Sequence, residues 1–306
     1  LVAQYTKFIP KANYGWQGSK TGNLQNPISI PASGNYFLNV EKNPEVIMGW
    51  PYAQAAVQSV GSSNIEPTCI WMNPFGKGGG GARGLLSKYP IEETELINSW
   101  MFKGVCNVDG KRIAIYPSHS NYVYYSCYYP RGYNDGGGNS GWEKLPDGPN
   151  TDVSEILERN ALSGRPESAR EFVENAKKEL DKGAIVILAG DLNEPSHLDW
   201  VESTKDMFEH NGCIVPWQTS LLLTESGFID AFRQMYPDPA THPGLTWPVN
   251  NKGIPVSDLA WAAEADERDR IDYIYYYPDS RFSLVDIKMV GPTGTIVRGE
   301  RVAADT

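Results

Sequence analysis

Two polar side chains two residues apart, Asp191 and Asn193, close a short apolar run, and their chemistry suits a phosphoester. The run is Ile185-Val186-Ile187-Leu188-Ala189, rich in β-branched residues, and it reads as a buried strand. Gly190 follows, then Asp191-Leu192-Asn193-Glu194-Pro195. Side chains i and i+2 of an extended segment point the same way, so a carboxylate and a carboxamide would face one substrate together. The carboxylate suits orienting a water, and the amide suits donating to a phosphoryl oxygen. The same residues also make an ordinary strand-end turn with an Asx cap, and both readings stand here.

Other segments hold residue types that fit the same chemistry. His119 ends Ile113-Ala114-Ile115-Tyr116-Pro117-Ser118-His119, as a donor to a phosphoryl oxygen or leaving group, or as a histidine satisfied at a strand end. Arg131, in Tyr129-Pro130-Arg131-Gly132-Tyr133, is either a bidentate phosphate clamp or a surface arginine. His197 and Asp199 line the pocket or fix the loop after Asn193. Asp272, in Arg270-Ile271-Asp272-Tyr273-Ile274, would otherwise be an ion-pair partner of Arg270 or Arg268.

Strands are expected at about 85–91, 99–108, 111–118 and 122–129, a largely antiparallel succession. In the last of these, Tyr122, Tyr124, Tyr125, Tyr128 and Tyr129 read as two packed strand faces. Residues 132–151 form a Gly/Asn/Pro loop of a length that is usually functional or mobile. A helix follows, with Pro166 near its first turn, Ala169, Phe172, Val173, Ala176 and Leu180 at helical spacing, and Gly183 at its end. The Gly76–Gly81 run lacks the GK[ST] ending of a phosphate loop. Trp247 and Trp261 read first as core packing and second as walls of the mouth. Helix feeding strand implies α/β (α+β) layers.

The tetrad Gly190-Asp191-Leu192-Asn193 resembles the Gly-Asp-Phe-Asn signature of the endonuclease/exonuclease/phosphatase superfamily, the DNase I-like fold. Gly84-Leu85-Leu86-Ser87-Lys88-Tyr89-Pro90-Ile91, the His119 strand, Gly244-Leu245-Thr246-Trp247-Pro248 and the Arg270–Tyr276 strand resemble its other segments in order. Tyr129–Tyr133 and Ser196-His197-Leu198-Asp199-Trp200 resemble a secreted bacterial subgroup. The resemblance implies one domain over residues 1–306, built as a two-sheet β-sandwich flanked by helices. It implies a divalent-metal-dependent phosphoester hydrolase, a phosphodiesterase or phosphatase, working by in-line water attack. Asp191, Asn193, His119 and Asp272 would be catalytic, with Asp272 holding a second histidine in the right tautomer. Arg131, His197 and Asn13 would bind substrate, and Asp191 and Asn13 would hold Mg²⁺ or Mn²⁺.

Two parts depart from the family pattern. Pro51 stands where its metal-binding Glu belongs, with Glu45 and Glu66 displaced along the chain. No Ser-Asp-His follows Asp272, and no histidine follows His242. The expectation is that the sequence is incomplete at its ends. The alternatives are a non-catalytic binding or surface-assembly protein that retains the fold, or a site completed by a partner chain. A glycosidase reading, from the Tyr and Trp content, needs two carboxylates about 5–10 Å apart across one cleft.

Over 306 residues the net charge is −10, which argues against a general polyanion binder, because nonspecific nucleic-acid affinity comes from Lys and Arg on phosphates. A small phosphoester or a lipid headgroup fits better, with self-assembly left open. No apolar stretch approaches the ~20 residues of a membrane-crossing helix. Cys69, Cys106, Cys127 and Cys213 show no metal spacing. Cys106 and Cys127 either pair or stay as buried thiols. The start at Leu1 and a composition with 17 Tyr, 9 Trp and 30 Gly lean toward a processed, exported protein.

Overall fold

The computed structural model describes residues 2–3, 68–72, 83–87, 89–251, 254–262, 264–289 and 294–303. Asn13, Glu45, Pro51, Glu66 and the Gly76–Gly81 run lie outside them. The fold is α+β, with a mixed β-sheet core flanked by helices. The chain groups into two compact units, Leu1–His119 with Lys178–Gly190, and Ser120–Lys177 with Asp191–Thr306.

In the first unit, strands β1 (Val2–Ala3), β2 (Thr68–Met72) and β3 (Arg83–Ser87) form an antiparallel sheet in the order β1-β3-β2. A second sheet runs β4 (Ile91–Asn98), β5 (Met101–Val108), β6 (Lys111–His119) and β7 (Ile185–Asp191) in sequence order. Leu85 of β3 is fully buried, and a Cβ added at Gly104 of β5 would sit 2.5 Å from its Cδ2. Leu85 of the first sheet therefore packs directly onto β5 of the second. The expected strand at 85–91 is two strands, divided at exposed Pro90, which has no N–H for a ladder.

Glu179 is fully buried among Lys103 (2.8 Å), Arg112 (2.8 Å) and Lys182 (2.9 Å). Burial works to raise its pKa, but these three cations hold it down to about 2.

The second unit holds α1 (Val153–Ala161), most of α2 (Arg165–Asp181), α3 (Gln218–Glu225), α4 (Ala231–Met235) and strands β8 (Ile229–Asp230), β9 (Asp272–Tyr276), β10 (Gly294–Val297) and β11 (Glu300–Ala303). β8 pairs with β9 and β10 with β11, both antiparallel. α2 buries Ala169, Phe172, Val173 and Ala176 as their spacing predicts, with Leu180 only half-buried. Gly183 ends it at φ +74°, donating to the Leu180 carbonyl at 2.8 Å. Asp152 caps α1 by accepting from the Ser154 and Glu155 amides.

The segment 122–129 is not a strand. Tyr124 has φ +56°, Ser126–Tyr128 is a 3-10 turn, and the carbonyls of Asn121, Val123 and Tyr124 accept from the Arg165 guanidinium rather than from a neighbouring strand. Residues 132–145 fold back on themselves through Asn134 N–H to Glu143 O (2.9 Å) and Leu145 N–H to Gly132 O (2.8 Å). Arg159 braces this hairpin bidentately at Asp135 (2.8 and 3.0 Å). Cys106, Cys127 and Cys213 are free buried thiols.

Candidate functional site

β7 is buried almost throughout because its apolar run is continuous. At its end Gly190 has φ +146°, and a Cβ there would lie 1.9 Å from the Ser118 carbonyl oxygen. Only glycine lets the ends of β6 and β7 approach so closely. His119, half-buried, is the last residue of β6 and donates its amide to Trp100 O at 3.0 Å.

Asp191 and Asn193 are both buried, at 3% and 7% exposure. The i, i+2 extended geometry does not hold here, because Asn193 is left-handed at φ +48°. A turn joins the pair instead: the Asn193 amide donates to Asp191 Oδ1 at 2.7 Å. Asn193 Nδ2 donates to Ser120 O at 2.8 Å, and Ser120 N–H donates to Asp191 O at 2.8 Å. On the other side Leu192 N–H donates to Ile271 O at 2.9 Å, which sets the turn beside the start of β9 and Asp272. Asp191, Asn193 and Asp272 are thus carried by two hydrogen-bonded segments.

Thr246 holds that second segment, its Oγ1 accepting from the amides of Ile271 (2.9 Å) and Asp272 (3.2 Å). Sequence reading marked Gly244–Pro248 without a role for Thr246. It also missed Glu194, which is 1% exposed directly after Asn193. Glu194 accepts from the Thr219 amide (2.7 Å), Thr219 Oγ1 (2.9 Å), Asn160 Nδ2 (3.0 Å) and Arg165 Nε (3.3 Å). A carboxylate following the tetrad, with an arginine at a helix start, was the available signal.

Arg131 is not a substrate clamp. It is buried, pairs with Asp269 at 2.7 Å, and donates to the carbonyls of Phe208, Cys127 and Arg268. Trp200 Nε1 donates to the same Asp269 at 3.0 Å, and His210 stacks on the Trp200 ring at 3.7 Å. Burial, aided by the Arg131 charge, pushes the His210 pKa down to about 2. Arg270 is engaged with Asp199 (2.9 Å) and Asp230 (2.7 Å), and Arg268 pairs with Asp266 (2.7 Å). Asp199, also bound by Arg233 at 2.6 Å, fixes its loop. His197 turns toward α3, with Nδ1 2.9 Å from Ser220 Oγ, and burial lowers its pKa. Trp247 and Trp261 pack, half-buried, against the aromatic core.

Among the described residues no three His, Cys, Asp or Glu side chains gather as a metal cage. A Mg²⁺-type ion needs no such cage, since it takes one or two carboxylates plus water and substrate oxygens. Asp191, at the end of β7, is a carboxylate of the type such an ion takes.

The sequence profile described as the Endonuclease/Exonuclease/phosphatase family matches residues 27–287. The chain belongs to that family. Members of the family are phosphoester hydrolases and nucleases. In sequence, the chain is 40% identical over 92 residues to the uncharacterized protein F14F9.5 of Caenorhabditis elegans, a match taking in 30% of this chain and 27% of that protein. Among solved structures it is similar to the 3'-5' exonuclease (NExo) from Neisseria meningitidis, with TM-score 0.41, 14% identity, and coverage of 79% of this chain and 84% of that one. It is also similar to an endonuclease/exonuclease/phosphatase family protein from Leptotrichia buccalis, with TM-score 0.37, 12% identity, and coverage of 76% and 68%. Among the described residues no helix is long and apolar enough to cross a membrane.

Proposed function

We propose that the chain is a divalent-metal-dependent phosphoester hydrolase acting by in-line attack of water. The observation that carries this is the turn in which Asp191 and Asn193 meet, bonded to Ser120 on one side and to Ile271 on the other. In this reading the Asp191 carboxylate orients the attacking water and accepts its proton. Asn193 has a second amide hydrogen beyond the one given to Ser120, and it donates to a phosphoryl oxygen as charge builds there. Asp191 would also be the carboxylate that holds Mg²⁺ or Mn²⁺, which, when bound, neutralises charge on the phosphoryl group.

The net charge of −10 favours a small phosphoester or lipid headgroup over a nucleic-acid polymer. The test is a panel of phosphomonoesters, phosphodiesters and headgroup esters, assayed with Mg²⁺ or Mn²⁺ and with EDTA. Turnover that EDTA abolishes and metal restores is the expected result. No turnover of any ester with either metal would favour the non-catalytic reading.

A further inference from the structure

Tyr122 is 54% exposed, yet its surroundings hold it in place. A single exposed aromatic is ordinary on a protein surface. Here the backbone on both sides of it is pinned from within. Arg165, 1% exposed, donates to the carbonyls of Asn121 (2.8 Å), Val123 (3.1 Å) and Tyr124 (2.8 Å). Asn121 Nδ2 donates to Ser163 O at 2.9 Å. The ring itself lies nearly parallel to Trp261, at 15° and 6.3 Å between centroids. Trp261 meets Trp142 at 5.1 Å, and Trp142 meets the fully buried Tyr128 edge-on at 5.6 Å. A ladder of rings therefore runs from the core to an open aromatic face.

The backbone that carries Tyr122 stands close to the Asp191–Asn193 turn. Ser120 exchanges hydrogen bonds with both residues, and Tyr122 is two residues further along. Two residues of chain span at most about 7 Å, so the Tyr122 backbone is within roughly one substrate width of the turn.

We infer that Tyr122, backed by Trp261, is a stacking subsite for a planar ring carried by a small phosphoester. The inference rests on the phosphoester reading of the Asp191–Asn193 turn. A pinned aromatic face loses little freedom when a ring lies on it, which is what makes a surface ring a good binding element. Stacking tolerates any flat π-system, so it selects a ring-bearing ester without reading its edges. The −10 charge sets the ligand at monomer rather than polymer size.

Titration calorimetry of the full chain with adenosine 5′-monophosphate and with ribose 5-phosphate tests this, because the two differ by the ring alone. Wild type should bind the ring-bearing ester about tenfold more tightly, Tyr122→Ala should abolish that preference, and Tyr122→Phe should keep it. Equal affinities in wild type, no binding of the ring-bearing ester, or a preference retained in Tyr122→Ala would overturn the inference. Glycerophosphocholine binding as tightly as the ring-bearing ester would overturn it in favour of a lipid headgroup. Ring preference without any hydrolysis would leave the subsite standing and remove the hydrolase reading. Hydrolysis without ring preference would do the reverse.

Discussion

Asn193 and Ser120 are joined by a 2.8 Å hydrogen bond from a side-chain amide to a backbone carbonyl, and Ser120 in turn donates its amide to the Asp191 carbonyl. Asn193 is therefore both a candidate phosphoryl donor and the bolt of its own turn. Asn193→Asp replaces that donor by an acceptor facing the Ser120 carbonyl. A buried group left without its partner costs about 1–3 kcal/mol. We expect urea unfolding to show a stability lower by that amount, and a fall in kcat of about a hundredfold, with a smaller change in KM.

Gly190→Ala should be worse for stability. The new methyl would meet the Ser118 carbonyl at 1.9 Å, and the φ of +146° disfavours any side chain. Strain and displacement together should cost roughly 2–4 kcal/mol. A thermal melt of the variant should show a clearly lowered midpoint, and an unchanged melt would mean the β6–β7 approach is looser than described.

The elements most legible in the sequence were those governed by periodicity. The Ile185–Ala189 run reads as a buried strand and is one, and α2 follows its apolar spacing with Gly183 behind it. The tyrosine-rich segment 122–129 misled because alternating aromatics mimic a strand. Its backbone carbonyls are claimed instead by Arg165, forty residues on, and no local rule anticipates that. The same kind of long-range pairing took Arg131 out of the site, since Asp269 is distant in sequence and near in space. At the Asp191–Asn193 turn the residue types were readable, but the αL conformation of Asn193 was not. The strand-end Asx turn offered by the sequence is what the geometry shows.

Glu194 gives a stability test separate from chemistry. Removing its carboxylate by Glu194→Ala leaves Arg165 buried with its charge partner gone, which costs on the order of 3–5 kcal/mol. Arg165 also brackets residues 121–124, so the loosening should spread there. Native-state hydrogen exchange should report faster exchange at the Ser120 and Asn193 amides. Unchanged protection at both would show that the turn does not depend on this pair.

Acid should weaken the fold in two stages. His210 stays neutral when folded, its pKa lowered from 6.5 to about 2 by burial and the Arg131 charge. The unfolded chain takes up a proton near pH 6.5 and the folded chain does not, so this contribution is intact above about 6.5 and drains as pH falls toward 2. Glu179, lowered from 4.5 to about 2, adds a loss of the same sign below about 4.5. Denaturation midpoints at pH 7 and pH 5 isolate the first stage. His210→Phe, which keeps a ring on Trp200, should shrink the difference between them.

Whether the Asp191 carboxylate does chemistry, as proposed, rather than only closing a turn is tested most directly by Asp191→Asn. The substitution keeps shape and an acceptor oxygen for the Asn193 amide, so the circular dichroism spectrum should match wild type. Metal-supported phosphoester turnover, measured on the same preparation, should fall by about a thousandfold. A folded Asp191→Asn protein with wild-type turnover would contradict the account.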